Sequence, residues 1–229
     1  MTTQPSDNIL ALVPAYNEGK HIGEVIRLTS QYLPVVVVDD GSKDDTAARA
    51  EAAGAKVLRQ VPNQGKGAAL ITGYRYAIEQ GCEAIVMLDA DMQHDPHEIS
   101  LFLDMFREVH ADLIIGQRNF RYMPQPRRTT NTIGTWMFSW AVGQYIPDNQ
   151  SGFRLLSRRM MEATLASGET NFEFEVEMIV QCIKLGYKMA WVPIKTIYGD
   201  EKSHIRPVRH AYHFIRMVLQ ARSAVNRRR

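Results

Sequence analysis

This chain is poor in the features that mark secreted, membrane-spanning or nucleic-acid-binding proteins. It has 2 cysteines in 229 residues. Cys82 and Cys182 lie far apart without metal-binding spacing, so a reduced, cytoplasmic compartment is expected. No run of about 18 apolar residues occurs, which argues against a membrane span. The segment from Met1 to Asn8 is too polar to read as a signal peptide. Repeats and low-complexity tracts are absent. The formal charge of +2 is too small to argue for nucleic acid, although the stretch from Arg206 to Arg229 is strongly basic. What remains is an ordinary globular composition, 45% hydrophobic and 23% charged, long enough to bury a full core. One domain, 1–206, with a basic carboxy-terminal helix, 207–229, is the expected organisation.

The chain is organised around Ile85-Val-Met-Leu-Asp-Ala-Asp-Met-Gln-His-Asp-Pro96. Four apolar residues, Ile85 to Leu88, read as a buried strand that stops at Asp89. Pro96 suits the first turn of a helix running to Val109. Upstream, Ile9–Val13, Val35–Val38 and Lys56–Arg59 read as strands. Helical patterns at Glu18–Leu33, Asp44 or Asp45 to Ala53, and Gly67–Gln80 follow them in turn. Downstream, Asp112–Gly116 and Phe153–Leu156 read as strands, and Lys188–Tyr198 as one broken near Pro193. Helices are expected at Asn131–Tyr145, Arg158–Ala166 and Phe172–Leu185, with a basic loop from Gln117 to Arg128. Alternating strands and helices imply an α/β fold, a parallel sheet covered on both faces.

In such sheets ligands bind beyond the carboxyl ends of the strands. Pro14-Ala-Tyr-Asn-Glu18, Asp39-Asp-Gly-Ser42 and Asp89-Ala-Asp91 all fall at such ends. A single D-x-D can be a solvated acidic loop. Three polar loops on one rim are better explained as a site for a nucleotide and its metal. Asp89 and Asp91, two apart, can face one site. Their oxygens suit Mg2+ or Mn2+, usually shared with substrate phosphates.

Five segments in order, Val13-Pro-Ala-Tyr-Asn-Glu18, Val38-Asp-Asp-Gly-Ser42, Asn63-Gln-Gly-Lys-Gly67, Asp89 to Pro96 and Ser151-Gly-Phe-Arg154, span most of the chain. Together they resemble the inverting family 2 glycosyltransferases, especially the dolichyl- or polyprenyl-phosphate sugar synthases. The resemblance implies the A-type glycosyltransferase (nucleotide-diphosphosugar transferase) fold, a mostly parallel sheet flanked by helices. It also implies a divalent cation and an activated donor of the GDP-mannose or UDP-glucose type. Pro14, Tyr16, Glu18, Asp39 and Asp40 would then hold base and ribose, though either aspartate can serve only a turn or a cap. Lys66, in a glycine-flanked helix start, would meet the diphosphate; a surface turn is the plain alternative. Asp91, supported by Asp89 and Gln93, would bind the metal, and His94 would orient the loop.

The acceptor divides the chemistry. A hydroxyl needs a base, whereas a lipid phosphate, with a second pKa of about 6, is already ionised and needs cations instead. Arg118, Arg127, Arg128, Arg154, Lys202 and Arg206 are candidates, with Arg118 and Arg154 counted among the catalytic residues. The resemblance puts Ser151 to Arg154 and the loop with Lys202, Ser203, His204 and Arg206 near the acceptor. That loop departs from the family pattern R-x-x-G-x-S-K. It reads Tyr198-Gly-Asp-Glu-Lys-Ser-His204, and His204 is either a metal or phosphate ligand or a solvated loop residue. From Pro207, Val208, Ala211, Tyr212, Ile215, Val218 and Leu219 recur at helical spacing among arginines and histidines. Such a helix can lie on a membrane surface, dock on its own core, or meet a second subunit in a homodimer. The expectation is a cytoplasmic enzyme, peripheral on the membrane face, moving a hexose to polyprenyl phosphate. Its rivals are a soluble or protein hydroxyl acceptor with Asp148 as base, a sugar-phosphate nucleotidyltransferase, and a silent nucleotide-binding module. The nucleotidyltransferase usually has a glycine-rich loop where this chain has Pro14 to Glu18, and intact Asp89, Asp91 and Gln93 speak against the silent module.

Overall fold

The computed structural model describes residues 8–125, 127–167, 174–195 and 207–226. In chain order the elements are β1 (Ile9–Ala15), α1 (Ile22–Thr29), β2 (Val35–Asp39), α2 (Thr46–Ala52), β3 (Lys56–Arg59), α3 (Lys66–Glu79) and β4 (Ala84–Met87). There follow α4 (Ile99–Val109), β5 (Leu113–Arg118), α5 (Arg127–Val142), β6 (Arg154–Ser157), α6 (Arg158–Ser167), α7 (Phe174–Leu185), β7 (Met189–Ile194) and α8 (Pro207–Asn226). The strands form one sheet in the order β3-β2-β1-β4-β6-β5-β7. It is mostly parallel, as expected, with β6 antiparallel to both β4 and β5.

Side chains alternate across the sheet. Leu10 and Leu12 of β1 face a core built with α3, α5, α6, α7 and α8. Ile9, Ala11 and Val13 face the other, built with α1, α2 and α4. Burial on both faces is why β1 and β2 are apolar almost without interruption. β7 runs straight through Pro193. It is an edge strand, where a missing N–H costs no ladder bond.

α5 begins at Arg127, four residues before the expected Asn131. In its first turns the Thr130 and Thr132 hydroxyls donate back to the Arg127 and Arg128 carbonyls. The helix ends at Val142, short of the expected Tyr145, where Gly143 turns with φ 75. α8 packs against α5 and α7, with Val218 and Ala221 buried in the shared core. Among its three expected partners, its own core takes one face. Ile215 and Leu219 stay exposed. No described helix is long and apolar enough to cross a membrane.

Candidate active site

The carboxyl ends of β1, β2 and β4 meet at a cleft of about 520 Å³, floored by the start of α3. Pro14, Tyr16 and Glu18 line it from the first loop, Asp40 from the second, Lys66 from the third, and Asp89 and Asp91 from the fourth. Hydrogen bonds stitch these loops together. The Asn17 N–H donates to Ser42 Oγ at 2.9 Å, and the Glu18 N–H to Thr46 Oγ1 at 2.8 Å. Helix α2 starts at Thr46, whose N–H donates to Asp44, so Asp44 rather than Asp45 does the capping.

Asp39 and Asp40 both accept from backbone N–H groups, and only Asp40 also lines the cleft. Asp39 is buried and accepts from the Ser42 N–H at 3.1 Å, closing the turn. It is not among the residues that line the cleft. Asp40 accepts from the Gln64 N–H at 2.8 Å and the Gly65 N–H at 2.7 Å, fixing the loop that presents Lys66. Gly41, next in the chain, has φ 75, and a Cβ there would sit 2.9 Å from the Asn63 nitrogen. Only glycine fits that turn.

Lys66 is the first residue of α3, and its Nζ lies 2.7 Å from Asp89 Oδ1 and 2.8 Å from Glu175 Oε1. His94 Nε2 is 3.4 Å from Asp89 Oδ2, so both Asp89 oxygens have partners. Burial raises the Asp89 pKa, but Lys66 and then His94 outweigh it and hold the carboxyl well below its usual range. Burial likewise works against the Lys66 charge, and Asp89 and Glu175 overcome it, raising the ammonium pKa. Glu175 is lowered because Lys66 and Arg154 outweigh its burial. Asp91 is half-buried on the cleft side, with Oδ1 accepting from the Gln93 N–H at 3.0 Å across Met92, whose φ is 63. Gln93 contributes that backbone bond and is not among the residues lining the cleft.

The sign of these shifts gives an expected result. Depressed carboxyl pKa values stabilise the fold at neutral pH, and that contribution is lost as pH falls below the ordinary carboxylate range, about 4, toward the folded values. In Lys66→Met the two carboxylates face each other without a cation, so their pKa values should rise instead. Melting temperature of that variant, in metal-free buffer, should therefore increase from pH 7 to 5 while the native protein stays level. Parallel curves for the two proteins would contradict the pairing.

Arg154, expected to meet substrate, does not reach the cleft. It is wholly buried and donates from Nε to the Ser151 carbonyl at 2.7 Å, from Nη1 to Glu175 at 2.5 Å and from Nη2 to Asn149 at 3.2 Å. Ser151 is buried too. The motif Ser151 to Arg154 backs the aspartates instead: a Cβ on Gly152 would sit 2.4 Å from Asp89 Oδ2, and Phe153 packs on His94 with centroids 5.2 Å apart. Arg118 grips Asp148 through Nε at 2.7 Å and Nη2 at 2.9 Å. Asp148 is fully buried in that pair, a poor position for a base. Lys202, Ser203, His204 and Arg206 lie outside the described residues. Glu175 went unnoticed in the sequence. Its one signal was an acid in the first turn of α7, which reads as a helix-dipole preference.

The donor set fits a hard cation. Four carboxylates, Glu18, Asp40, Asp89 and Asp91, line the cleft against one ammonium. Among the described residues no group of three or more His, Cys, Asp or Glu side chains could hold a metal by itself. A cation here would complete its shell with diphosphate oxygens and water, as Mg2+ usually does. Asp89 and Asp91 both line the cleft, and Asp89 has Lys66 and His94 on its oxygens.

This mixed sheet, with acids and one lysine at its carboxyl rim, is the A-type, nucleotide-diphosphosugar glycosyltransferase fold of the chain's structural neighbours. The chain belongs to Glycosyl transferase family 2, whose profile matches residues 11–165. An uncharacterized protein of Methanocaldococcus jannaschii is 35% identical over 203 residues, 85% of this chain and 83% of that protein. Polyprenol monophosphomannose synthase of Mycolicibacterium smegmatis is 28% identical, covering 84% of this chain and 78% of its own length. In fold, the chain is similar to Mycobacterium tuberculosis glucosyl-3-phosphoglycerate synthase solved with Mn2+, uridine-diphosphate and phosphoglyceric acid. The TM-score is 0.70 at 21% identity, over 94% of this chain and 77% of that one. The protein is a glycosyltransferase related to polyprenyl-phosphate sugar transferases.

Proposed function

We propose that this enzyme moves a hexose, with inversion, from a GDP-mannose- or UDP-glucose-type donor to polyprenyl phosphate at a membrane surface. The observation that carries the donor side is the cleft in which Lys66 and four carboxylates converge at the ends of β1, β2 and β4. Tyr16, Glu18 and Asp40 hold base and ribose, and Lys66 faces the diphosphate. A divalent cation, Mg2+ or Mn2+, shared between Asp91 and the diphosphate would neutralise the leaving group. A phosphate oxygen of the acceptor attacks the anomeric carbon, and the bond to the donor phosphate breaks with its electron pair staying on the diphosphate. The acceptor arrives already ionised, so no general base is required. That agrees with the engagement of Asp148 by Arg118. With Arg154 committed to the interior and Arg118 paired with Asp148, Arg127 and Arg128 are the described candidates for the acceptor phosphate.

The membrane side is supported by the outer faces of α5 and α8. Trp136 is 71% exposed, and Trp140 on the same helix and Ile215 and Leu219 on α8, which packs against it, are exposed too. The Arg222 guanidinium lies 3.9 Å from the Trp140 ring centroid. Neither helix contains an acidic residue. Tryptophan beside arginine suits the lipid headgroup level, and each basic residue near an anionic surface contributes about 1 kcal/mol.

One experiment tests both sides. Labelled nucleotide sugars are offered with polyprenyl phosphate in anionic and in neutral vesicles, or without it. Lipid-extractable product and co-sedimentation are then measured across a salt series. Product that forms only with the lipid phosphate, and attachment to anionic vesicles that weakens with salt, are expected. Transfer to a soluble acceptor with no lipid product would overturn the acceptor, and attachment indifferent to lipid charge and salt would overturn the surface.

A further inference from the structure

The segment Asn63-Gln-Gly-Lys-Gly67 brings a second side chain to the cleft besides Lys66. Asn63 lines it too, together with Asp40 and Tyr16. Its backbone is held from two sides. Gly41 lies so close that a Cβ there would come within 2.9 Å of the Asn63 nitrogen. Asp40 fixes the next two residues, accepting from the Gln64 and Gly65 N–H groups. The Asn63 side chain is exposed, and its amide bonds to no other described residue. An unengaged polar side chain on a fixed backbone, lining a cleft, is preorganised for a ligand. Its place along the rim says which part of that ligand. The strands run β3-β2-β1-β4. Lys66 Nζ and Asp89 mark the diphosphate end, beyond β4. Asn63 follows β3 and packs on the turn after β2. That is two strand spacings from β4, about 10 Å, where the base of an extended nucleotide would lie.

We infer that Asn63 reads the base of the donor and selects uracil over guanine. The inference rests on the donor reading above and narrows it to a uridine-diphosphate sugar. An asparagine amide offers a donor and an acceptor side by side. Uracil presents the complement, the O4 carbonyl beside the N3–H, and the pairing is complete. On guanine the same amide pairs with O6 and N1–H, and the adjacent N2 amine is left over. Two adjacent N–H donors call for the two oxygens of a carboxylate. At this end Asp40 has committed its two-oxygen face to Gln64 and Gly65. Asp39 is buried, accepting from Ser42, and Glu18 has a partner within the chain. Tyr16 lines the same cleft with its ring partly exposed. Any base stacks on such a ring, so Tyr16 adds affinity without choosing between them.

The test is calorimetric titration of UDP, GDP and inorganic pyrophosphate into native protein, Asn63→Asp and Asn63→Ala, in excess Mn2+. Native protein should bind UDP about ten-fold more tightly than GDP, the scale of one donor left without an acceptor. Asn63→Asp should reverse that order. Its two oxygens accept from guanine N1–H and N2, and they face the uracil carbonyl unfavourably. The added charge weakens both nucleotides alike, so the ratio of the two affinities is the readout. Asn63→Ala should weaken UDP about ten-fold and leave pyrophosphate, which has no base, unchanged. The exposed amide holds no other described residue, so both variants should keep the native melting temperature. Native protein that binds GDP as tightly as UDP, or more tightly, overturns the assignment. So does Asn63→Asp with the native ratio, or Asn63→Ala with native UDP affinity. Asn63→Ala that weakens pyrophosphate as much as UDP would put the residue at the diphosphate and overturns it too. Each of these leaves the donor reading standing. Native protein that binds neither nucleotide overturns the donor reading itself, and this inference with it.

Discussion

Asp91→Ala should lower sugar transfer by about a hundred- to a thousand-fold while leaving the fold intact. That is the usual scale when one electrostatic stabiliser of a developing charge is removed. On the proposed function the charge develops on the departing nucleoside diphosphate, and Asp91 would hold the cation that offsets it. Its structural contribution is smaller: one oxygen accepts the Gln93 N–H within a half-buried turn. Losing such a bond costs about 1 kcal/mol, or roughly 2–4 °C of melting temperature in a chain of this size. Asp89→Ala makes the informative contrast. It removes a partner from Lys66 and from His94 together, so it should reduce stability as well as turnover. Product formation and thermal melting on both variants separate the cases. An Asp91→Ala enzyme with native turnover, or native turnover in excess chelator, would remove the metal from the mechanism.

The rim of the site was legible in the sequence because its logic is local. Each of Pro14 to Glu18, Asp39 to Ser42 and Asp89 to Asp91 follows an apolar strand directly. Parallel strands bring such ends to one edge, whatever the remaining topology. Distances between loops were not legible. That Asp40 spends both oxygens on the loop before Lys66, while Asp39 closes a turn, depends on how β2 and α3 approach each other. The direction of β6 was hidden as well. Four residues, Arg-Leu-Leu-Ser, carry no mark of which way a strand runs, and an antiparallel strand inside a parallel sheet is set by its neighbours. The misjudged role of Arg154 follows from that. An arginine after Gly-Phe reads as a surface cation, because charged residues are rarely buried unless paired. Its position on a strand between β4 and β5 is what puts it inside.

Arg154 should accordingly be the costliest single position in the described structure. It is wholly buried, and its guanidinium donates to three carbonyls from three segments: the loop at Asn149, the turn at Ser151 and the start of α7 at Glu175. Burial pulls its pKa down, while Glu175 and Asp148 act against that and keep the group charged. Arg154→Met preserves much of the volume but strands three acceptors and leaves buried Asp148 and half-buried Glu175 with one counter-charge fewer. Breaking a buried ionic arrangement from one side costs about 3–5 kcal/mol, equivalent to a fall in melting temperature of roughly 6–20 °C. Arg154→Lys should recover little of this. A single ammonium cannot reproduce a planar fork aimed at three carbonyls. Urea unfolding of the three proteins, with thermal melting alongside, measures the loss. Diphosphate binding should weaken in both variants, because Arg154 holds Glu175 behind Lys66 and the turn containing Gly152 against Asp89. Arg154→Lys within about 1 kcal/mol of the native protein, a typical single hydrogen bond, would mean that charge alone matters here. The three carbonyls would then find other donors, and the link from this buried arginine to the cleft would fail.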